Sequence, residues 1–586
     1  VFGRPLPRRI GAATRADGVD RAGRVGLAVG LGSAVLQLAP VLGRGYLLVR
    51  DMVFVPRLPL TGGLLGRDGL PRAVPSDLLV ALLSRIVPGD VVQDVVLVAI
   101  ITLAGWGVAR LVPSRSPWAA AAAAALYTWN PYVTERLRLG QWAVLVGYAA
   151  LPWVASAAIR CRDQLRPATS AALLVALAGA AAGGASAELL AALVAIPVLL
   201  WPGAHSGWWR RTGVLGTGLL VVALPWLVPS LLQPSTPPSD RIGVALFAAR
   251  PDTPFGSLGS LLSLGGVWNA EVVPAGRGDL LVGLAALGLT AAAIGGLTQL
   301  RGRWPDGALA GVVAAGVLGL ALAMWGATPG ARTALSDLVA AVPAAGLLRD
   351  GQRSVAPLAL VVSLGAGALA EALAARWRWR AAVLVAVPVA LLPAAAWGAD
   401  GTLSAVRWPG GWQQIATASH RLPAGPILVL PWAADRAYPW NDERTQIDPA
   451  DHWLPRRVVG DDALQVGDRS TPLEDPLARR VSAAVTGTAP LVTVLRDQGY
   501  AGVLLETDQP GAAADRTRLA GLSVVAATAT LTLYGVPSPA RAAEPQAPLV
   551  PILLADVLAA LAVVGAAAIC GHSNTRRDQT RTDIDV

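Results

Sequence analysis

Apolar runs recur along the chain, each about the length of a membrane crossing and each bounded by short polar stretches, and this pattern predicts transmembrane helices. The runs fall near 25–42, 92–112, 117–130, 142–158, 168–185, 187–201, 213–232, 280–299, 307–326, 354–374, 381–398 and 548–570, about twelve spans. The run at 117–130 is short. Only Gly183, Gly184, Ala185 and Ser186 separate 168–185 from 187–201, so that pair reads equally as one re-entrant hairpin.

Arginine placement orients the pattern. Arg4, Arg8, Arg9, Arg15, Arg21 and Arg24 precede the first run, which reads as a retained span with a cytoplasmic N-terminus. Every second connection is then cytoplasmic. These connections carry Arg115, then Arg160, Arg162 and Arg166, then Arg210 and Arg211, then Arg301 and Arg303, then Arg376, Arg378 and Arg380, and finally the tail with Arg576, Arg577 and Arg581. Each is basic, as the positive-inside bias requires.

The predicted architecture is a polytopic α-helical membrane protein with a C-terminal extracytoplasmic α/β domain. Its parts are a basic N-terminus at 1–24, a membrane region at 25–398, an extracytoplasmic domain at 399–547, a final span at 548–570 and a cytoplasmic tail at 571–586. The outer loops are 43–90, 130–141, 233–278 and 327–353. In the first, Ser76 is expected to cap an amphipathic helix lying apolar face down on the membrane. In the 399–547 domain, 426–431, 500–506 and 531–536 read as strands, and 490–498 as a helix stopped at Gly499.

Composition sharpens this picture. The chain has 586 residues, 54% hydrophobic and 15% charged, and a mean hydropathy of +0.52; soluble domains carry about 25% charged residues. The net charge of +10 is spread over small clusters between apolar runs, all of them Arg, which excludes a nucleic-acid-binding face. Cys161 and Cys570 lie near span ends placed inside, so no outer disulfide is expected.

Candidate chemistry lies in the outer loops. Asp51, flanked by Arg50 and Arg57, could accept a proton from an acceptor hydroxyl near a lipid-borne donor, or form an interfacial ion pair. The stretch TWNPYVTERLRLGQW at 128–142 should break at Asn130-Pro131 and present Glu135, Arg136 and Arg138 outward, with Gln141 close behind; alternatively its aromatics form an interfacial belt. Arg349, Asp350 and Arg353 suit a phosphate, or anchor the chain at the headgroups. Glu188 and Asp556 are acids within apolar stretches. Trp432, Tyr438, Trp440 and Trp453 lie among Asp435, Asp442, Glu443, Asp448 and Asp451, a composition suited to sugars or to an ordinary acidic loop.

The stretches WNPYVTERLRLGQWAVLVGYAALPW, LLRDGQR and LRDQGYAGVLLE, together with this layout, resemble the GT-C class of polyprenyl-phosphate-dependent glycosyltransferases, close to the mycobacterial cell-wall arabinofuranosyltransferases of its actinobacterial branch. The resemblance implies a polyprenyl-phosphate sugar donor, a cell-wall glycan or glycolipid acceptor and a lipid environment, with no nucleic acid and no nucleotide. It implies Asp51 as catalytic base, or failing it Glu135, and a substrate-binding set of Arg57, Arg136, Gln141, Arg349, Asp350 and Arg353. No cofactor is expected; a divalent cation stays an open alternative, with no ligand set identified. A lipid or glycan flippase, or an inactive scaffold of a wall-synthesis complex, are the competing readings.

Overall fold

The computed structural model describes residues 12–203, 207–233, 241–466, 469–487, 490–540 and 546–582. Arg4, Arg8 and Arg9, and the side chains of Arg15, Arg576, Arg577 and Arg581, lie outside the described residues.

Each of the twelve apolar runs is helical, but the helices differ in reach. Among the described residues, seven helices are long and apolar enough to cross a membrane, and the bent pair Arg378–Leu391 and Pro393–Asp400 makes an eighth if it is one span. Pro117–Thr128, with 12 residues, and the apolar helices Pro167–Ala181 and Ala185–Leu200 are shorter. The count of about twelve spans therefore counts runs, several of which are too short to cross alone.

Small residues let these helices approach closely. A Cβ on Gly26 would lie 2.3 Å from the Ala109 Cβ, and one on Gly105 would lie 2.8 Å from the Gly30 Cα, so helices Ala12–Leu38 and Gly89–Leu111 meet backbone to backbone. Polar cross-links complete the joint. Gln37 donates to the Thr128 carbonyl at 3.0 Å, and Thr128 Oγ1 donates to Ser33 Oγ at 2.9 Å.

The C-terminal segment forms a five-stranded mixed sheet in the order Val458–Val459, Ile427–Leu430, Gly502–Glu506, Leu531–Gly535, Ser523–Ala527. The first three strands are parallel and the last two antiparallel. All three strands expected from the sequence are present, and helix Leu491–Asp497 ends before Gly499 at φ +78°. Strand Ile427–Leu430 is buried throughout because both faces are covered. Ile427 and Val429 join the core shared with the membrane region, while Leu428 and Leu430 pack with Leu477, Val481 and Leu495 from helices behind the sheet.

The first outer loop is the seam between the two parts. Tyr46 and Val406 pair as a bridge, Arg50 N donates to the Thr445 carbonyl at 2.7 Å and Ile447 N to the Arg50 carbonyl at 3.0 Å. Trp408 Nε1 donates to the Phe54 carbonyl at 2.9 Å. Ser76 begins helix Ser76–Leu83 rather than capping it, its hydroxyl donating back to Ala73 O. Leu79, Leu82, Leu83 and Ile86 on and just after that helix are exposed, leaving an apolar face without a protein partner among the described residues.

Gly26→Val should lower the melting temperature of the purified protein in detergent, corresponding to roughly 1–3 kcal/mol of overpacking at a site that cannot relax. The same change at Gly213, which meets nothing within 4 Å, should leave it nearly unchanged; equal melting of the two variants would contradict the close crossing.

Candidate active site

Asp51 sits at the tip of a tight turn. Val49 and Met52 exchange backbone hydrogen bonds of 3.2 and 2.8 Å, and Arg50 between them has φ +46°, an unfavourable conformation for a side chain. Clamping of the turn from both sides holds it there. Thr445 and Ile447 grip Arg50, and Asp51 N donates to the Leu139 carbonyl at 3.3 Å. Behind the turn lies Gly140, at φ +73°, where a Cβ would come within 2.3 Å of Val49 O and 2.4 Å of Met52 N. Only glycine lets the 130–141 segment lie this close.

The segment that seats Asp51 is itself a short helix, Pro131–Arg138, because Asn130 accepts from Val133 N and Pro131 occupies the first turn. The expected outward presentation of Glu135 and Arg136 is not what the chain does: both are fully buried. Two charges on a short helix can be buried when partners from other segments meet them. Arg136 donates to Asp350 at 2.5 and 2.9 Å, to Gln141 Oε1 at 2.5 Å, and to Gln352 Oε1. A guanidinium only donates, so both glutamines must turn their oxygens toward it and their amide nitrogens away. Gln141 Nε2 accordingly donates to Asp51 Oδ2 at 3.1 Å, and Gln352 Nε2 to Glu135 Oε2 at 3.0 Å. Asp51, Gln141, Arg136, Asp350, Gln352 and Glu135 form one continuous network.

The network's charges settle in a definite order. Burial alone would raise the Asp350 carboxyl, but Arg136 and Arg353 outweigh it and hold it below the ordinary carboxylate range. Glu135 is pushed well up, by burial and then by the Asp252 carboxylate. Its Oε1 has no hydrogen-bond partner among the described residues, which suits a protonated acid. Asp252 in turn is locked by Arg277 at 2.9 Å. Enclosure by protein raises the Asp51 carboxyl, and the Gln141 hydrogen bond, Arg353, Arg50 and Arg72 pull it partly back.

Asp51 opens into a cavity of about 750 Å³ between the outer loops and the sheet domain. Of the expected base and substrate-binding residues, Asp51, Gln141 and Arg349 line it. Arg136, Asp350 and Arg353 come together behind the wall, where Arg353 also donates to Ser186 at 2.5 Å. Glu135 lies deeper still, and Arg57 is exposed and off the wall. Arg50, Arg72 and Arg250 also line the cavity, as do Asp435, Asp448, Asp461 and Glu474 from the sheet domain. Sequence reasoning did not single out Arg72 and Arg250, since an isolated Arg in a loop carries no spacing signal. Among the described residues no group of three or more His, Cys, Asp or Glu could hold a metal ion.

Of the aromatics expected to form an interfacial belt or a sugar surface, Trp129, Tyr132, Trp142, Tyr438 and Trp453 are buried, and Trp432 and Trp440 are half-buried. Tyr127, Tyr148 and Tyr132 stack, with centroids 4.3 and 5.1 Å apart, and buried Trp129 donates to the Leu392 carbonyl at 2.9 Å. Tyr438, Trp440 and Trp453 pack with Trp408 and Trp412, while Asp435, Asp448 and Asp451 line the cavity. Glu188 accepts from Trp226 Nε1 at 2.7 Å. Both cysteines are free.

Removing Asp350 tests the network. Asp350→Asn leaves the buried Arg136 charge uncompensated, which costs about 3–5 kcal/mol at such sites. Purified Asp350→Asn should melt well below the wild type; an unshifted transition would show that Arg136 does not depend on the pair.

No family model matches the sequence, and no curated protein matches it. Among solved structures, the chain is similar to a cryo-EM structure of the arabinofuranosyltransferase AftD from mycobacteria, with a TM-score of 0.58 at 19% identity, over 88% of this chain and 40% of that one. A mutant form of the same protein matches with a TM-score of 0.55 at 18% identity, over 93% and 42%. The chain thus spans about two fifths of the length of the AftD chain. The likeness lies in the course of the backbone: this chain shares the fold of the matched two fifths of mycobacterial arabinofuranosyltransferase AftD.

Proposed function

We propose that the protein is a membrane glycosyltransferase that moves a sugar from a polyprenyl-phosphate donor to a cell-wall glycan or glycolipid acceptor on the extracytoplasmic side. The observation that carries this reading is Asp51: a carboxylate on a doubly clamped turn, accepting from Gln141 at 3.1 Å and facing a 750 Å³ cavity. The AftD-like fold supports the same class of reaction.

In the proposed step, Asp51 takes the proton of the acceptor hydroxyl while that oxygen attacks the anomeric carbon. The bond from that carbon to the phosphate oxygen breaks, and its electron pair leaves with the polyprenyl phosphate. Asp51, rather than Glu135, is the base, because Asp51 lines the cavity whereas Glu135 is fully buried and off its wall. Arg349 lies on the cavity wall to meet the departing phosphate. Arg136, Asp350 and Arg353 act through position: they fix the Gln141 amide, and Gln141 fixes Asp51.

Transfer from a synthetic polyprenyl-phosphate sugar by the purified protein tests this. Asp51→Asn should lower turnover by roughly 10²- to 10⁴-fold. The raised Asp51 pKa places the acid limb of the rate profile above the ordinary aspartate value of about 3.9, with activity rising as pH climbs through it. Gln141→Ala removes a hydrogen bond to the charged form, so that limb should move to higher pH. Full transfer by Asp51→Asn would move the base elsewhere, and no transfer by the wild type with any donor would favour a flippase or scaffold.

Orientation is tested separately, in a background lacking Cys161 and Cys570. An impermeant thiol reagent applied to intact cells should label Ser470→Cys and spare Ser573→Cys. The reverse pattern would invert the proposed topology.

A further inference from the structure

The cavity carries four arginines, and their charges are not equally available. Arg50 lies 2.5 Å from Glu271. Arg72 lies 2.5 Å from Glu474 and 4.0 Å from Asp462, and Arg349 shares Glu474 at 3.6 Å. Arg250 is exposed to the cavity, and its side chain has no hydrogen-bond or ion-pair partner among the described residues.

The backbone that carries Arg250 is rigid. Its N–H donates to the Gly266 carbonyl at 3.1 Å, and Gly266 N donates to Asp252 Oδ2 at 3.0 Å. Asp252, two residues on, is held by Arg277 through contacts of 2.9, 3.0 and 3.1 Å, with both side chains almost wholly buried. Three residues before Arg250, Phe247 also lines the cavity and lies under the Arg349 guanidinium at 5.8 Å. Two guanidiniums therefore stand on one stiff wall, one of them uncompensated. Asp435 and Asp461 also line the cavity and would repel an anion, while Asp448 is paired with Arg436 at 2.8 Å.

We infer that Arg250, seconded by Arg349, forms the anion-binding pole of the cavity and takes the phosphate of a lipid-linked phosphate ligand. A dianionic or monoanionic phosphate placed there gains forked, charge-assisted hydrogen bonds without first breaking an ion pair at Arg250. The acid-lined part of the cavity is left to hydroxyl-bearing groups. The identity of the phosphate's carrier rests on the glycosyltransferase reading; the anion pole itself rests on the pairing pattern of the four arginines.

The test is binding of a synthetic polyprenyl monophosphate to the purified full chain in detergent, against the neutral polyprenol of the same length and against inorganic phosphate. The wild type should prefer the monophosphate to the alcohol. Arg250→Ala should weaken monophosphate binding about tenfold or more and leave alcohol binding unchanged, with Arg250→Lys between the two. Equal affinity of wild type and Arg250→Ala for the monophosphate overturns the inference, as does an equal loss for monophosphate and alcohol. Inorganic phosphate competing as strongly as the lipid overturns the lipid-linked assignment. Asp51→Asn should bind the monophosphate as the wild type does, since the anion pole does not depend on the base. Arg250-dependent lipid-phosphate binding by a wild-type protein that transfers no sugar with any donor would sink the enzyme reading while leaving the anion pole standing.

Discussion

A charge that cannot be given up organises this molecule. Arg136 stays protonated at any accessible pH, and its guanidinium has no exposure to solvent. Once the helix Pro131–Arg138 is tucked beneath the outer loops, acceptors must come to it from elsewhere in the chain. Asp350 comes from 214 residues away, Gln352 from the same turn, and Gln141 from just beyond the helix that carries Arg136. The orientation of two amides, and through one of them the surroundings of Asp51, follows from that single donor-only group.

The electrostatics of the two acids near this arginine separate for the same reason. Asp350 is paired and stays ionised. Glu135, reached only through an amide and pressed by Asp252, is driven toward its neutral form. Asp51 lies between these extremes, enclosed but open to the cavity, with one amide donor and several arginines at a distance. A carboxylate in that condition can be ionised and still basic enough to take a proton.

What the sequence revealed and what it hid divide along physical lines. Apolar runs fix helices through composition alone, so all twelve were legible as helices, although crossing length was not, because several runs break at Pro or Gly. The sheet strands were legible because uninterrupted apolar stretches such as 427–430 suit burial on both faces. Asp51 stood out as an acid soon after the first helix. Burial of Glu135 and Arg136 was hidden, since a charged turn looks solvated until its partners are known. The packing of the aromatics of 438–453 was hidden for a related reason: their stacking partners Trp408 and Trp412 lie outside the segment. Arg72 and Arg250 became visible only when distant loops met around one cavity.

The seam at the first loop bears on how the protein is made. Tyr46, Arg50 and Phe54 leave the ribosome with the helix Ala12–Leu38, yet their hydrogen-bond partners Val406, Thr445 and Trp408 are synthesised some 350 to 400 residues later. Until then the turn at Asp51 has Leu139 on one side only, and the left-handed Arg50 lacks the contacts that hold it. The membrane helices can insert and pack early, but the shape of the reactive loop is completed only when the sheet domain has folded against it. A sheet domain translated well after the first outer loop is what completes that loop's shape.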